Sequence, residues 1–98
     1  MAELHLTILD PAGLHARPAA QVVRTAGRFQ SRITINVGDR TADVKSLIAV
    51  LGLTIRPGAQ ITLAADGPDD TAALAALIDE LGAAVQPSPN GAEFLKEE

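Results

Sequence analysis

From residue 3 to residue 9 apolar side chains fall at every second position, with Leu4, Leu6 and Ile8 on one side and His5 and Thr7 on the other. Period two marks a strand with one buried and one wet face, so a first strand is expected over Glu3 to Leu9. The turn formers Asp10-Pro11-Ala12-Gly13 then intervene, and the period changes. Ala19, Val22, Val23 and Ala26 recur at i, i+3, i+4 and i+7, which predicts a helix from about Ala16 to Ala26. Pro18 suits its first turn, where amide hydrogens lack intrahelical partners, and Gly27 suits a left-handed cap at its end.

Alternation returns at Ile33, Ile35 and Val37, and Gly38-Asp39 turns the chain into a short second arm over Arg40 to Asp43. Leu47, Ile48, Val50 and Leu51 follow Ser46 and end at Gly52, enough for about one and a half helical turns. Arg56-Pro57-Gly58 breaks the chain before Ile61, Leu63 and Ala65 alternate. Asp69-Asp70-Thr71 then offers acidic caps to a helix carrying Leu74, Leu77, Ile78 and Leu81, closed by Gly82. The order β-α-β-β-α-β-α makes a two-layer α+β open-faced sandwich: a four-stranded antiparallel sheet covered on one face by three helices. One domain over residues 1–85 is expected. Beyond it, Gln86-Pro87-Ser88-Pro89-Asn90-Gly91 and the acidic end read as a flexible tail over 86–98.

Composition narrows the function. Only Phe29 and Phe94 are aromatic in a chain of 98 residues that is 47% hydrophobic, so the core is aliphatic and alanine-rich. With no cysteine there is neither a disulfide framework nor a thiolate nucleophile. The start shows no basic region followed by an apolar run, and no stretch nears the length of a membrane span, so a cytoplasmic protein without a membrane partner is expected. A net charge of -4 with two aromatics argues against a nucleic-acid partner. That charge is unevenly spread: residues 1–50 hold six Lys/Arg against four Asp/Glu, and residues 51–98 hold two against eight.

The chemistry gathers in the basic half. Leu14-His15-Ala16-Arg17-Pro18 sets an imidazole at a helix start, where unpaired amides and the positive end of the helix dipole favour an anion. The same field favours a neutral ring with a free lone pair, and Arg17 offers fixed donors to phosphate oxygens. In an arbitrary protein His-x-Arg would be read as a helix cap beside a solvated charge. Independent catalysis is not expected, since no carboxylate pair, glycine-rich nucleotide loop or metal cluster can be recognised, and no cofactor or metal is called for.

Gly13-Leu14-His15-Ala16-Arg17-Pro18-Ala19 closely resembles the active-site signature of the HPr family of phosphocarriers of the phosphoenolpyruvate:sugar phosphotransferase system. Lys45-Ser46-Leu47-Ile48-Ala49-Val50-Leu51 resembles the family's second signature, and the resemblance spans about residues 1 to 85. It implies that His15 takes a phosphoryl group on Nδ1 from Enzyme I, charged by phosphoenolpyruvate, and passes it to Enzyme IIA domains, with Arg17 stabilising the phosphate. It also implies regulatory phosphorylation of Ser46 by an HPr kinase/phosphorylase, and a transcriptional regulator among the partners.

As structure alone, Ser46 is explained as an N-cap worth about 1 kcal/mol. Leu47, Ile48 and Leu51 read either as core or, by the resemblance, as a docking surface ringed by Arg17, Arg24, Arg28 and Lys45. Ala49 stands where some relatives carry a basic residue. His5 is expected to face solvent without a role. The expected protein is a monomer. Against sugar uptake stand a regulatory paralogue using the same histidine and a plain binding module without phosphate chemistry.

Overall fold

The computed structural model describes residues 1–88 and the backbone of residues 95–96. Its elements run β1 (Ala2–Ile8), α1 (Ala16–Ala26), β2 (Arg32–Val37), β3 (Arg40–Asp43), α2 (Leu47–Gly52), β4 (Gln60–Asp66), α3 (Asp70–Leu81), a 3-10 turn (Gly82–Ala84), β5 (Val85–Pro87) and β6 (Leu95–Lys96). The strands form one sheet in the order β3-β2-β4-β1-β5, with β6 also on β1, and every pairing is antiparallel. The period-two pattern sets the faces. Leu4 stands opposite Leu63, and Leu6 opposite Ile61, so one face is continuously aliphatic and fully covered.

Three helices cover that face. α1 brings Ala19, Val22 and Ala26, α3 brings Ala73, Leu74, Leu77 and Leu81, and α2 brings Val50, all into one cluster with the strand side chains. Alanine at these positions lets helix backbones lie close to the sheet, and Phe29 packs against the cluster's margin. The other sheet face carries Glu3, His5 and Thr7, half-buried. Between β2 and β3, Gly38 takes the positive φ of +62° that suits the first central position of a two-residue hairpin loop.

Three expectations are corrected. Gly27 is right-handed at φ -65°, and α1 instead winds on through Arg28 N–H to Thr25 O and Phe29 N–H to Ala26 O. Asp69 holds the N-cap place of α3, but its carboxylate makes no capping bond there. It accepts the amides of Gln30 and Ser31, each at 2.9 Å, and the Ser31 hydroxyl, clamping the loop before β2. Gln86 and Pro87, expected in the tail, form β5 with Val85 along the free edge of β1, and Ser88 is buried, its hydroxyl 3.0 Å from that of Thr7. β6 continues that edge at Ala2 and Glu3. The rest of the expected tail, 89–94 and 97–98, and Phe94 with it, lies outside the described residues.

No helix among the described residues is long and apolar enough to cross a membrane, and among them no group of three or more His, Cys, Asp or Glu is arranged to hold a metal ion.

Candidate functional site

The β1–α1 loop is built to hold its end still. Asp10 opens it: one carboxylate oxygen accepts the Ala12 amide at 2.8 Å, and the Gly13 amide returns to the Asp10 carbonyl at 2.8 Å. The result is a side-chain-locked turn of the kind aspartate favours. Leu14 is buried and its amide donates to the Ile55 carbonyl at 3.0 Å, tying the loop to the segment after α2. Gly13 lies so close to that segment that a Cβ would stand 2.3 Å from the Ile55 oxygen.

His15 follows in extended conformation at φ -89° and ψ -171° and is the N-cap of α1, its carbonyl accepting the Ala19 amide at 3.1 Å. Its side chain makes no capping hydrogen bond, so the reading of the imidazole as a plain helix cap does not hold. The ring is 45% exposed, and it belongs to the residue that starts α1, where first-turn amides lack intrahelical partners. Arg17, two residues on and the second residue of the helix, is exposed, and among the described residues it has no ion-pair partner. Imidazole and guanidinium thus stand two residues apart at the start of one helix, both exposed.

Two charged residues beside them were not singled out. Asp10 Oδ2 lies 3.7 Å from His15 Nε2, a negative charge that opposes the positive field expected to act alone on the ring. Arg56 is exposed on the segment packed against Gly13. The available signal for both was topological: Asp10 precedes the histidine by one tight turn, and Arg56 follows a helix that must pack beside α1.

α2 lies against α1, the two running antiparallel. Lys45, just before α2, donates to the Phe29 carbonyl beyond the end of α1 at 2.6 Å, and the Leu14–Ile55 bond joins the opposite ends. Ser46 caps α2, its hydroxyl accepting the Ala49 amide at 3.2 Å. Arg40 reaches the Gly52 and Leu53 carbonyls at the other end. Of the apolar run only Val50 is core. Ile48 is 85% exposed, and Leu47 and Leu51 are 36% and 37% exposed. Arg24 and Arg28 are exposed at the far end of α1, close to Lys45 rather than to His15. His5 stays away from all of this on the uncovered sheet face, its Nδ1 3.0 Å from the Thr62 hydroxyl.

A cation beside an exposed imidazole at a helix start can hold a phosphoryl group, and the apolar strip of α2 can seat a protein that delivers or takes one. Comparison with known proteins agrees. The family model described as the PTS HPr component phosphorylation site matches residues 2–82. The phosphocarrier protein HPr of Lysinibacillus sphaericus is 40% identical over 87 residues, covering 86% of this chain and 99% of its own. A mycoplasma histidine-containing phosphocarrier protein superposes with a TM-score of 0.80 at 35% identity, over 81% of this chain and 90% of its own. The Bacillus anthracis phosphocarrier HPr does so with a TM-score of 0.74 at 35% identity, over 80% and 93%. This chain therefore belongs to the HPr family, the phosphocarriers of the phosphotransferase system, whose members carry a phosphoryl group rather than catalyse a reaction of their own.

Proposed function

We propose that His15 accepts a phosphoryl group through Nδ1 from Enzyme I, charged by phosphoenolpyruvate, and yields it to Enzyme IIA domains of sugar uptake. The observation that carries this reading is an uncapped, half-exposed imidazole at the start of α1 with unpaired helix amides beside it. Arg17 stabilises the phosphate through charge-assisted bonds, which suits reversible holding better than tight trapping. Leu47, Ile48 and Leu51 form the apolar centre of the docking surface, and Arg24, Arg28 and Lys45 lend it positive charge toward one end, which fits an acidic, apolar partner face. Lys45 has to exchange its bond to the Phe29 carbonyl for any partner contact. The carrier works as a cytoplasmic monomer.

Ser46 carries a regulatory reading as well, through an HPr kinase/phosphorylase and a transcriptional regulator. Its hydroxyl is half-buried at the first turn of α2, next to the exposed Leu47 and Ile48. A phosphoserine there adds nearly two negative charges at a helix start, which the fold tolerates and an acidic partner does not.

The test is a relay with radiolabelled phosphoenolpyruvate, Enzyme I, this chain and Enzyme IIA. Label is expected to pass through the chain to Enzyme IIA, and Arg17→Ala is expected to slow the relay by roughly tenfold or more without removing the acceptor. An Enzyme IIA that stays unlabelled while this chain is fully labelled refutes the onward step.

A further inference from the structure

The contact between Asp10 and His15 has a consequence for which nitrogen of the ring can react. Asp10 Oδ1 is committed to the Ala12 amide at 2.8 Å, which fixes the carboxylate and turns Oδ2 toward His15 Nε2 at 3.7 Å. Both partners are held from behind. Asp10 is fixed by the turn that Gly13 closes, and His15 by the Leu14–Ile55 bond and the first turn of α1. At 3.7 Å the carboxylate oxygen stands just beyond hydrogen-bond distance of the ring nitrogen, and a small rotation of the exposed ring closes the gap to a hydrogen bond, as catalytic contacts commonly tighten in a complex. The other charges near the ring are Arg17 on α1 and Arg56 on the segment packed against Gly13. α2 carries none, and among the described residues Asp10 is the acid in ion-pair range of the imidazole.

We infer that Asp10 is a positioning residue that keeps the proton of His15 on Nε2 throughout the transfer cycle, so that Nδ1 presents its lone pair to the phosphoryl donor. The inference rests on the carrier reading above for its chemistry, and on the resting geometry alone for its orientation. In the incoming step the Nδ1 lone pair forms the N–P bond, while the bond from phosphorus to the donor's leaving atom breaks and its electron pair stays with the donor. The ring becomes a protonated phosphoimidazole, and the Asp10 carboxylate balances its charge. In the outgoing step the acceptor's lone pair attacks phosphorus, the N–P electron pair returns to Nδ1, and the ring departs as neutral imidazole. The Nε2 proton is neither lost nor gained, so the carrier needs no acid or base of its own.

Two substitutions separate orientation from turn formation. Asp10→Ser keeps an oxygen for the Ala12 amide, as serine does in such turns, and lacks the second oxygen. Asp10→Asn also keeps the turn acceptor but presents an amide NH2 where Oδ2 stood. That donor favours a lone pair on Nε2 and a proton on Nδ1, the unreactive tautomer. Nitrogen-15 NMR of His15 in the full chain, at about pH 8.5 where an ordinary imidazole is neutral, reads the tautomer without any phosphorylation. The wild type is expected to be mainly protonated at Nε2, Asp10→Ser less so, and Asp10→Asn least.

Initial rates of phosphorylation by phosphorylated Enzyme I are expected to fall in the same order. For Asp10→Ser the loss is about twofold to fivefold, as suits a partly exposed charge pair, with KM unchanged. Equal populations of the two tautomers in the wild type, or a wild-type tautomer ratio in both variants, overturns the inference. Wild-type chain that takes no label from an active Enzyme I defeats the carrier reading instead, and the NMR result still decides the orientation.

Discussion

Replacing Gly13 with alanine tests how the reactive loop is held. Gly13 has φ +70°, which costs a residue with a Cβ roughly 1–2 kcal/mol. The new methyl stands 2.3 Å from the Ile55 carbonyl oxygen and 3.1 Å from the Arg56 Cα, all backbone, so no side chain can swing away. Relieving that contact costs about 1–3 kcal/mol. The displacement breaks the Leu14–Ile55 bond of 3.0 Å, a further loss of about 1 kcal/mol. A stiffer unfolded chain returns about 0.4–1 kcal/mol. The net is a loss of about 2–6 kcal/mol, or a fall in Tm on the order of 10–40 °C for a domain of this size. Gly38→Ala is the control: φ is +62°, but a Cβ there meets nothing within 4 Å, so its loss is held to about 1 kcal/mol. Thermal unfolding followed by far-ultraviolet circular dichroism reads both. Equal losses would show that the close approach of the two segments is not what holds the loop, and would refute the reasoning.

Two further outcomes follow from the geometry. The Ser31 hydroxyl first, and the Gln30 amide next, hold the Asp69 carboxyl below its ordinary 3.8. The stability it contributes is therefore complete above the ordinary value and is lost as pH falls through the lowered one. Asp69→Asn is expected to lower Tm at neutral pH and to flatten its decline below about pH 4, and an acid limb as steep as that of the wild type would count against the clamp. Ile48→Asp alters a side chain that is 85% exposed, so stability stays within about 0.5 kcal/mol. KM for phosphorylation by Enzyme I is expected to rise roughly tenfold. An unchanged KM would remove α2 from the docking surface.

The parts of the fold that were legible in the sequence are those held by side-chain burial. Leu4, Leu6 and Ile8, and likewise Ile61, Leu63 and Ala65, announce their strands because the covered face demands period two. Ala19, Val22 and Ala26 mark α1 at its observed bounds. β5 was hidden because Gln86 and Pro87 bury no alternating face and join the sheet by lying along the edge of β1. Asp69 was misread for a related reason: the capping rule is local, whereas its partners lie 38 and 39 residues upstream and meet it only once β2 and α3 have packed. In the site, His15 and Arg17 were visible in one motif, and whether Leu47, Ile48 and Leu51 were core or surface could not be decided from a six-residue helix. Their exposure follows from α2 turning Val50 into the core and Ala49 against its margin, which leaves the other apolar side chains of this short helix outward. Asp10 escaped notice because its turn-forming role already accounted for it.

The central claim is that His15 carries the phosphoryl group, and it is tested most directly by intact-mass analysis of the purified chain. The protein is incubated with Enzyme I, magnesium and phosphoenolpyruvate, before and after a brief acid wash. The account predicts a gain of one phosphate that disappears in acid and is absent from a folded His15→Ala variant. No gain with an Enzyme I that phosphorylates its own carrier, or a gain that survives in His15→Ala, would contradict it.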